Sequence, residues 1–323
     1  MVNWVEAQKH LFHFLAKQAG LRHQTVEIEP GTVMSFWVPK ANHDKKKKNP
    51  SKEVDLNNIE DKKEGEKEKP AVVLLHGFAA EGIVTWLFQV GSLTSRYAVY
   101  VPDLLFFGGS VTASADRSPG FQARCLITGL GRLGVGRFTA VGFSYGGMVA
   151  FKMAEARPEL LHALVVSGSV VALTESISRE ALHGLGLSSW AELLLPETVE
   201  GLKALFSVGT YRKLWFPDRL YKDCLKVMFD NRKEKKELLE GLVIRNEDAK
   251  VPILPQMVLL LWGGNDQILN MKLAEDMKEQ LGEKATLQGI KKAGHLVHLE
   301  RPRVYNRCLK QFLAQVHDKG NQE

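Results

Sequence analysis

The sequence predicts an α/β fold, built as a mostly parallel, doubly wound sheet that carries a helical insertion. Short, unbroken apolar runs alternate with helical patterns along the chain, and residues 171–250 interrupt that alternation with helix-favouring segments. The chain has 323 residues, of which 45% are apolar and 25% charged, as in ordinary globular proteins. Unbroken apolar runs are typical of strands buried on both faces, and helices between them imply parallel strands joined by right-handed crossovers.

The first residues predict an amphipathic helix that ends near Gly20. Its apolar residues fall on one side: Trp4, Val5, Leu11, Phe12 and Leu15. We expect this helix to dock on the body of the protein, with a helix lying in a membrane interface as the alternative. The segment lacks the uninterrupted apolar core of a signal peptide, and no run of about 18 apolar residues follows it. We therefore expect a cytoplasmic protein, and we expect it to be a monomer.

A β-hairpin is predicted next, from strand-like runs at residues 25–29 and 32–38 separated by Pro30 and Gly31. Residues 41–70 then contain nine Lys and eight Asp or Glu, with no aromatic residue. Such a segment buries too little apolar surface to offset the entropy of ordering, so we expect a charged, disordered insertion. Its charges nearly cancel and the net charge of +6 is spread thinly elsewhere, so we expect no nucleic-acid partner.

The central sheet is predicted from five apolar runs, at residues 71–76, 97–101, 137–143, 163–167 and 257–262. The alternation resumes after the helical insertion with a helix at 271–281, a strand at 286–290 and a final helix at 302–317. The three cysteines are far apart and lack CxxC spacing, which indicates neither a disulfide framework nor a zinc site.

A serine follows one of these strands in a position that favours nucleophilic chemistry. Residues 142–147 read GFSYGG, between an apolar strand and an apolar-periodic helix. Glycines two positions before and after the serine permit the sharp, strained turn that leaves Oγ exposed above the sheet edge. The helix N-terminus directs N–H groups at developing negative charge. Ser144 is therefore the candidate nucleophile.

A base and an acid are expected beside this serine. His295 comes shortly after the strand at 286–290, and Asp266 follows the strand at 257–262. Ligands bind at the carboxyl ends of the strands in open α/β sheets, so both side chains are expected at one edge. The order Ser144, Asp266, His295 is one that catalytic triads take. His298 is the alternative base.

Two backbone N–H groups are expected to hold the oxyanion that forms when a carbonyl is attacked. One belongs to Tyr145, next after the serine, and the other to Phe78 in the loop that leaves the first long apolar strand. Gly77 lets this backbone approach a substrate without an intervening side chain. His76 is predicted to be an orienting, hydrogen-bonding residue of that loop.

These motifs resemble those of the α/β-hydrolase superfamily. The sequence looks similar to uncharacterised plant members of its cap-containing group, which includes epoxide hydrolases, haloalkane dehalogenases, esterases and carbon–carbon hydrolases. The resembling segments are LLHGF at 74–78, DLLFFGGS at 103–110, GFSYGG at 142–147, LLLWGGNDQI at 259–268 and AGHLVHLERP at 293–302. The resemblance implies the α/β-hydrolase fold with a helical cap, and it assigns the nucleophile to Ser144, the acid to Asp266 and the base to His295.

Two departures from the family patterns narrow the expected activity. Epoxide hydrolases and haloalkane dehalogenases of this group use an aspartate where this chain has Ser144. The carbon–carbon hydrolases usually have a tryptophan beside the catalytic histidine, where this chain has Leu296. Cleavage of a carboxylic ester is therefore the favoured activity.

The predicted function is that of a carboxylesterase- or lipase-like serine hydrolase that acts on an apolar ester without a metal or organic cofactor. The alternatives are a small-molecule receptor on the same fold, and carbon–carbon bond hydrolysis or acyl transfer by the same triad. Phe106 and Phe107 are predicted to line the substrate pocket because their loop leaves the catalytic edge. Trp215 is predicted to line it from the cap.

The expected organisation has five segments. Residues 1–40 form the N-terminal helix and hairpin, and residues 41–70 form the charged insertion. Residues 71–170 and 251–323 form the two parts of the core, and residues 171–250 form the cap between them.

Overall fold

The structure, a computed structural model, describes residues 3–40 and 69–319, and a nine-stranded sheet forms the centre of this part. The insertion predicted at 41–70 lies outside the described residues except for its last two. Eleven strands are found in the described part: β1 (Leu21–Glu29), β2 (Thr32–Pro39), β3 (Ala71–Leu75), β4 (Ala98–Pro102), β5 (Val111–Thr112), β6 (Phe138–Phe143), β7 (Leu161–Ser167), β8 (Leu173–Thr174), β9 (Val243–Ile244), β10 (Met257–Gly263) and β11 (Ala285–Ile290). The short β8 and β9 pair with each other outside the main sheet.

The main sheet has the strand order β1-β2-β4-β3-β6-β7-β10-β11, with β5 paired to β2. All neighbours from β4 to β11 are parallel, whereas β1–β2, β2–β4 and β2–β5 are antiparallel. The predicted mostly parallel α/β sheet is confirmed. Since β6, β10 and β11 run in the same direction and lie close together, the loops at their carboxyl ends meet at one edge of the sheet.

Helices cover both faces of this sheet. They are α1 (Trp4–Gln18), α2 (Gly82–Thr85), α3 (Leu87–Leu93), α4 (Pro119–Arg132), α5 (Tyr145–Ala156), α6 (Glu175–Leu185), α7 (Trp190–Leu194), α8 (Val199–Gly209), α9 (Asp218–Met228), α10 (Arg232–Glu240), α11 (Met271–Leu281), α12 (Val297–Glu300) and α13 (Pro302–Lys319). In β3, Val72 and Leu74 join the core on the α3 and α13 side, whereas Val73 and Leu75 join the core on the α4 and α5 side. Both faces are buried, which explains why the strand is apolar at every position.

The interval between β7 and β10 contains the five helices α6 to α10, joined at their two ends by the β8–β9 pair. Trp190, Leu202 and Leu239 of this interval are buried in the same core cluster as α4 and α5. Trp190 and Leu239 also border a cavity beside Ser144, at the carboxyl end of β6, and the assignment of residues 171–250 to a cap stays a prediction.

The N-terminal helix α1 begins at the Asn3 side chain, which accepts hydrogen bonds from the N–H groups of Val5 and Glu6. It packs against α2, α3 and α9, and Ala16 is fully buried. Four apolar side chains on its other side remain exposed: Trp4, Leu11, Phe14 and Leu15. Among the described helices, none combines the length and the apolar character needed to cross a bilayer.

Two strand predictions differ from the structure. The first strand begins at Leu21 rather than at residue 25, because Leu21 to Gln24 pair in register with Phe36 to Pro39. This pairing orders a polar stretch that has no apolar alternation of its own. The sequence analysis also missed β5, whose two residues pair with Thr32 and Val33. Two residues are too few to form a periodic pattern.

Candidate active site

Ser144 occupies a strained turn between β6 and α5. Its φ of +52° and ψ of −120° lie in a region that residues with side chains rarely adopt. Two glycines make the turn possible: a Cβ on Gly142 would lie 2.6 Å from the Gly146 carbonyl oxygen, and a Cβ on Gly147 would lie 2.6 Å from Ser169 Oγ. The Ser144 N–H donates to the Ser167 carbonyl at 2.9 Å, which fastens the turn to β7.

The structure brings Ser144, His295 and Asp266 together in one hydrogen-bonded chain. His295 Nε2 lies 3.1 Å from Ser144 Oγ, and His295 Nδ1 lies 2.8 Å from Asp266 Oδ2. Both His295 and Asp266 are 6% exposed. A buried ion pair or hydrogen bond of this kind is strong because bulk water does not compete for its partners.

The Asp266 carboxylate is held by its own loop. Its Oδ1 accepts the N–H groups of Ile268 and Leu269 at 2.9 and 3.0 Å, which leaves Oδ2 for His295. An ionised carboxylate only accepts, so Nδ1 of the imidazole must donate. The neutral ring then presents a lone pair on Nε2 to the serine hydroxyl, which is the tautomer that a general base requires.

Gly168 makes room for the imidazole. Its φ is +53°, and a Cβ there would lie 2.8 Å from two atoms of the His295 ring. The Phe143 ring packs against the same imidazole with a centroid separation of 4.9 Å. The histidine is thus confined by backbone on one side and by an aromatic ring on another.

Phe78 and Tyr145, the two expected oxyanion donors, border the same cavity as Ser144. Tyr145 is the first residue of α5, so its N–H has no intrahelical acceptor. Within the described part of the chain, neither N–H donates to a protein acceptor. Gly77 allows the two loops to approach, since a Cβ there would lie 2.8 Å from the Phe143 ring and 3.3 Å from Ser144 Cβ.

His76 supports the Phe78 loop from below. Its Nε2 accepts the Leu104 N–H at 2.9 Å, so its Nδ1 carries the proton and donates to the Gly77 carbonyl at 2.6 Å. Burial lowers the pKa of His76 to about 4, which keeps the ring neutral at pH 7. This arrangement agrees with the orienting role expected for His76.

His298, the alternative base, lies behind the site. It is fully buried against the rings of Trp86, Phe143 and Tyr305, and burial lowers its pKa to about 3. The hydrogen bond to Ser144 Oγ comes from His295. The geometry therefore favours His295 over His298 as the partner of the serine.

Two cavities lie near Ser144. The first, here called the serine cavity, has a volume of about 30 Å³ and is bordered by Ser144, His295, Phe78 and apolar cap residues including Trp190 and Leu239. The second, here called the helix-side cavity, has a volume of about 310 Å³. It lies between α1, the cap helix α9 and residues 79–81, which follow Phe78.

The three predicted pocket residues have different positions. Phe107 lines the helix-side cavity. Phe106 has a φ of +72° and packs under the Arg117 guanidinium, 4.6 Å from its ring centroid, and it lines neither cavity. Trp215 is 84% exposed and also lies outside both cavities, so its assignment to the pocket needs correction. Its neighbour Phe216 lines the helix-side cavity.

Glu300 is a site residue that the sequence analysis did not assign. Its Oε2 accepts the Gly294 N–H at 2.6 Å, directly before His295, and its carboxylate also accepts the N–H groups of Tyr211 and Arg212 in the cap at 2.9 to 3.1 Å. Leu296 N–H donates to the Gly209 carbonyl at 3.0 Å. The histidine loop and residues 209–212 are therefore joined through the Glu300 carboxylate and through the Leu296–Gly209 hydrogen bond. In the sequence, Glu300 lies within the segment AGHLVHLERP at 293–302, which resembles the α/β-hydrolase superfamily.

Comparisons with known proteins identify the family of this chain. A family profile described as alpha/beta hydrolase fold matches residues 70–302. Human epoxide hydrolase 4 is 27% identical over 274 residues, which cover 78% of this chain and 74% of that protein. Human monoacylglycerol lipase ABHD6 is 25% identical over 266 residues, which cover 78% of each chain.

A solved structure shows the same fold. The crystal structure of a putative lipase from Acinetobacter baumannii superposes with a TM-score of 0.73 at 20% identity, covering 96% of this chain and 97% of that one. The reported relatives are animal and bacterial proteins, and the likeness to plant members stays a prediction.

Proposed function

Because this chain belongs to the α/β-hydrolase family, we propose that it is a serine hydrolase that cleaves apolar carboxylic esters through an acyl-enzyme intermediate. The observation that carries this proposal is the continuous hydrogen-bonded chain from Asp266 through His295 to Ser144 Oγ. The family membership supports a hydrolytic enzyme, and the names of its relatives include both lipases and epoxide hydrolases. In this proposal, Ser144 at the turn favours the lipase-like activity over epoxide hydrolysis.

In the first half-reaction, Ser144 Oγ attacks the ester carbonyl while His295 Nε2 takes the hydroxyl proton. The carbonyl oxygen becomes an oxyanion held by the N–H groups of Phe78 and Tyr145, and loss of one such donor typically costs ~10²- to 10³-fold in rate. His295 then gives its proton to the leaving alkoxide, and the alcohol departs. Asp266 keeps the imidazole in the required tautomer.

In the second half-reaction, His295 takes a proton from water, and the resulting nucleophile attacks the acyl-serine ester. The intermediate collapses to the free carboxylic acid, and the proton returns from His295 to Ser144 Oγ. An epoxide hydrolase of this family needs a carboxylate nucleophile at the turn, and Ser144 does not supply one. Water is the acyl acceptor in this proposal, and acyl transfer to an alcohol by the same triad is the alternative.

The test is turnover of p-nitrophenyl acetate and butyrate by the wild-type protein and by Ser144→Ala at neutral pH. We expect turnover by the wild type and its loss in the variant, with both proteins melting at similar temperatures. Wild-type turnover no faster than that of Ser144→Ala would refute the proposal. Ligand-dependent thermal stabilisation without turnover would favour the receptor alternative instead.

A further inference from the structure

The helix-side cavity is large enough for a substrate, but it does not contain Ser144. Its volume of about 310 Å³ lies within the range of small-molecule sites, ~300 to 1,000 Å³. The serine cavity, at about 30 Å³, has room for little more than one water molecule. An ester with a long chain therefore needs space beyond the serine cavity.

We propose that the helix-side cavity binds the linear apolar chain of the ester whose carbonyl reaches Ser144, with α1 as one of its walls. This inference rests on the proposed ester hydrolysis and adds the substrate class, a neutral ester with one long, unbranched apolar chain and one small group. The small group would lie in the serine cavity.

The two cavities meet at a pair of phenylalanine rings. Phe78 lines the serine cavity and Phe107 lines the helix-side cavity, and their rings pack edge to face with centroids 5.3 Å apart. Phe78, whose N–H is a proposed oxyanion donor, therefore also separates the two cavities with its ring, together with the ring of Phe107. Rotation of these two rings joins the cavities and lets one chain extend from the carbonyl into the larger space.

The lining of the helix-side cavity suits an apolar chain. Val5 and Phe12 of α1 face Phe206, Phe216 and Met228 of the cap across it. The α1 helix lies outside residues 70–302, where the family profile matches, so this wall is an addition to the matched core. Burying each methylene group of a chain in such surroundings strengthens its binding.

The charges around the cavity are already paired. Lys235 Nζ binds Asp230 Oδ1 and lies 4.7 Å from the Phe107 ring centroid. Lys9 Nζ lies 3.8 Å from Glu81 Oε2. Each cation has a carboxylate beside it, so the cavity offers no unpaired charge to an ionic ligand. This pairing favours a neutral ester chain over a fatty-acid anion.

Cys224 provides a direct probe of occupancy. It lines the helix-side cavity and is half-buried, whereas Cys125 and Cys308 are buried elsewhere. In Ser144→Ala protein, which cannot turn the ester over, methyl octanoate and octyl acetate are added before N-ethylmaleimide, and modification is followed by peptide mass spectrometry. A ligand at ten times its Kd slows modification of Cys224 about tenfold when it fills the cavity. Unchanged modification of Cys224 with both esters would overturn the inference.

A matched pair of substitutions on α1 gives the second test. Phe12→Trp adds volume inside the cavity, whereas Phe14→Trp makes the same change at a residue that is 54% exposed on the opposite side of the helix. Phe12→Trp is expected to lower the ratio of kcat/KM for the octyl-chain esters to that for p-nitrophenyl acetate at least about tenfold. Phe14→Trp is expected to leave the ratio at its wild-type value.

The outcomes separate this inference from the proposed function. If the wild type does not hydrolyse any ester, the proposed function fails, and the Cys224 experiment still reports on the cavity because it uses the Ser144→Ala protein. If the wild type hydrolyses esters but both tryptophan variants keep the wild-type ratio, the inference fails alone. Melting temperatures identify a variant that does not fold, in which case Val227→Trp on the facing wall replaces Phe12→Trp.

Discussion

The catalytic edge and the helix-side cavity are assembled in opposite ways. At the catalytic edge, Ser144, Asp266 and His295 each lie within five residues of the carboxyl end of a parallel strand, and backbone hydrogen bonds fix their loops. The helix-side cavity is enclosed by side chains from α1, from residues 79–84 and from the cap, which are far apart in sequence.

This difference separates the two determinants of the proposed reaction. The chemistry is held by elements whose geometry the sheet dictates, so it tolerates little displacement. The choice of substrate depends on side-chain packing between segments that are far apart in the sequence. Variants of the first region should change the turnover of every ester alike, and variants of the second should change the ratio between long and short esters.

The largest effect is expected at the catalytic edge, from Asp266→Asn. An asparagine donates as well as accepts, and it permits the wrong tautomer of His295, so kcat should fall about 10⁴-fold for short and long esters equally. The check is the steady-state kinetics of both ester classes, with Asp276→Asn on the exposed face of α11 as the control. A variant that retains more than about one tenth of the wild-type kcat would show that Asp266 does not orient the base.

The next effect is expected from Gly77→Ala. The added Cβ would lie 2.8 Å from the Phe143 ring, so the loop must move and take the Phe78 N–H away from the oxyanion. We expect kcat to fall about 10²-fold, as for removal of one oxyanion donor. Gly91→Ala is the matched control, because a Cβ there meets no atom within 4 Å. Equal kcat for the two alanine variants would exclude Phe78 as a donor.

Glu300→Gln tests the junction between the two regions. One acceptor oxygen becomes an NH₂ group that faces backbone donors from Gly294 or the cap, so the His295 loop loses part of its support. We expect kcat to fall about tenfold, because the histidine is less confined. Glu283→Gln at the surface serves as the control. An unchanged kcat would limit Glu300 to a role in folding.

Asp103→Asn is expected to have the smallest effect on activity, because its main effect is on the free energy of unfolding. Burial raises the pKa of Asp103 to about 7 in the folded protein, where its carboxylate accepts the Gly82 N–H. A carboxyl whose pKa is raised on folding stabilises the fold below the unfolded pKa of ~3.9, and this contribution is lost as pH rises through 7.

The wild type should therefore lose stability relative to Asp103→Asn between pH 4 and 7, by on the order of 1.4 kcal/mol per pH unit. Urea unfolding of both proteins at several pH values measures this difference. A difference that does not vary with pH would mean that Asp103 titrates alike in the folded and unfolded chains.

The sequence predicts the catalytic edge well because each of its residues has a local signature. Ser144 stands between glycines at the end of an apolar strand, and Asp266 and His295 follow apolar or strand-like runs in the same way. Parallel strand pairing then brings the three loops to one edge. The parallel sheet and the helices that cover it follow from the same alternation.

The helix-side cavity could not be predicted from the sequence, for a physical reason. Phe12 and Met228 line the same cavity because α1 packs against α9, and no periodicity within either helix encodes that packing. The sequence of the cap shows where its aromatic residues are, but it does not show which of them face a cavity. The prediction for Trp215 was therefore wrong, whereas its neighbour Phe216 lines the helix-side cavity. The carboxylate of Glu300 joins the Gly294 loop to Tyr211 and Arg212, more than 80 residues earlier in the sequence, and its sequence neighbours alone do not reveal these partners.

The central claim is that Ser144 is the nucleophile. The most direct measurement is treatment of the wild-type protein with a fluorophosphonate at neutral pH, followed by intact-mass analysis and peptide mapping. The account predicts one adduct per chain, on the peptide that contains Ser144, and none after the Ser144→Ala substitution. No adduct on the wild type, or an adduct on a different residue, would contradict it.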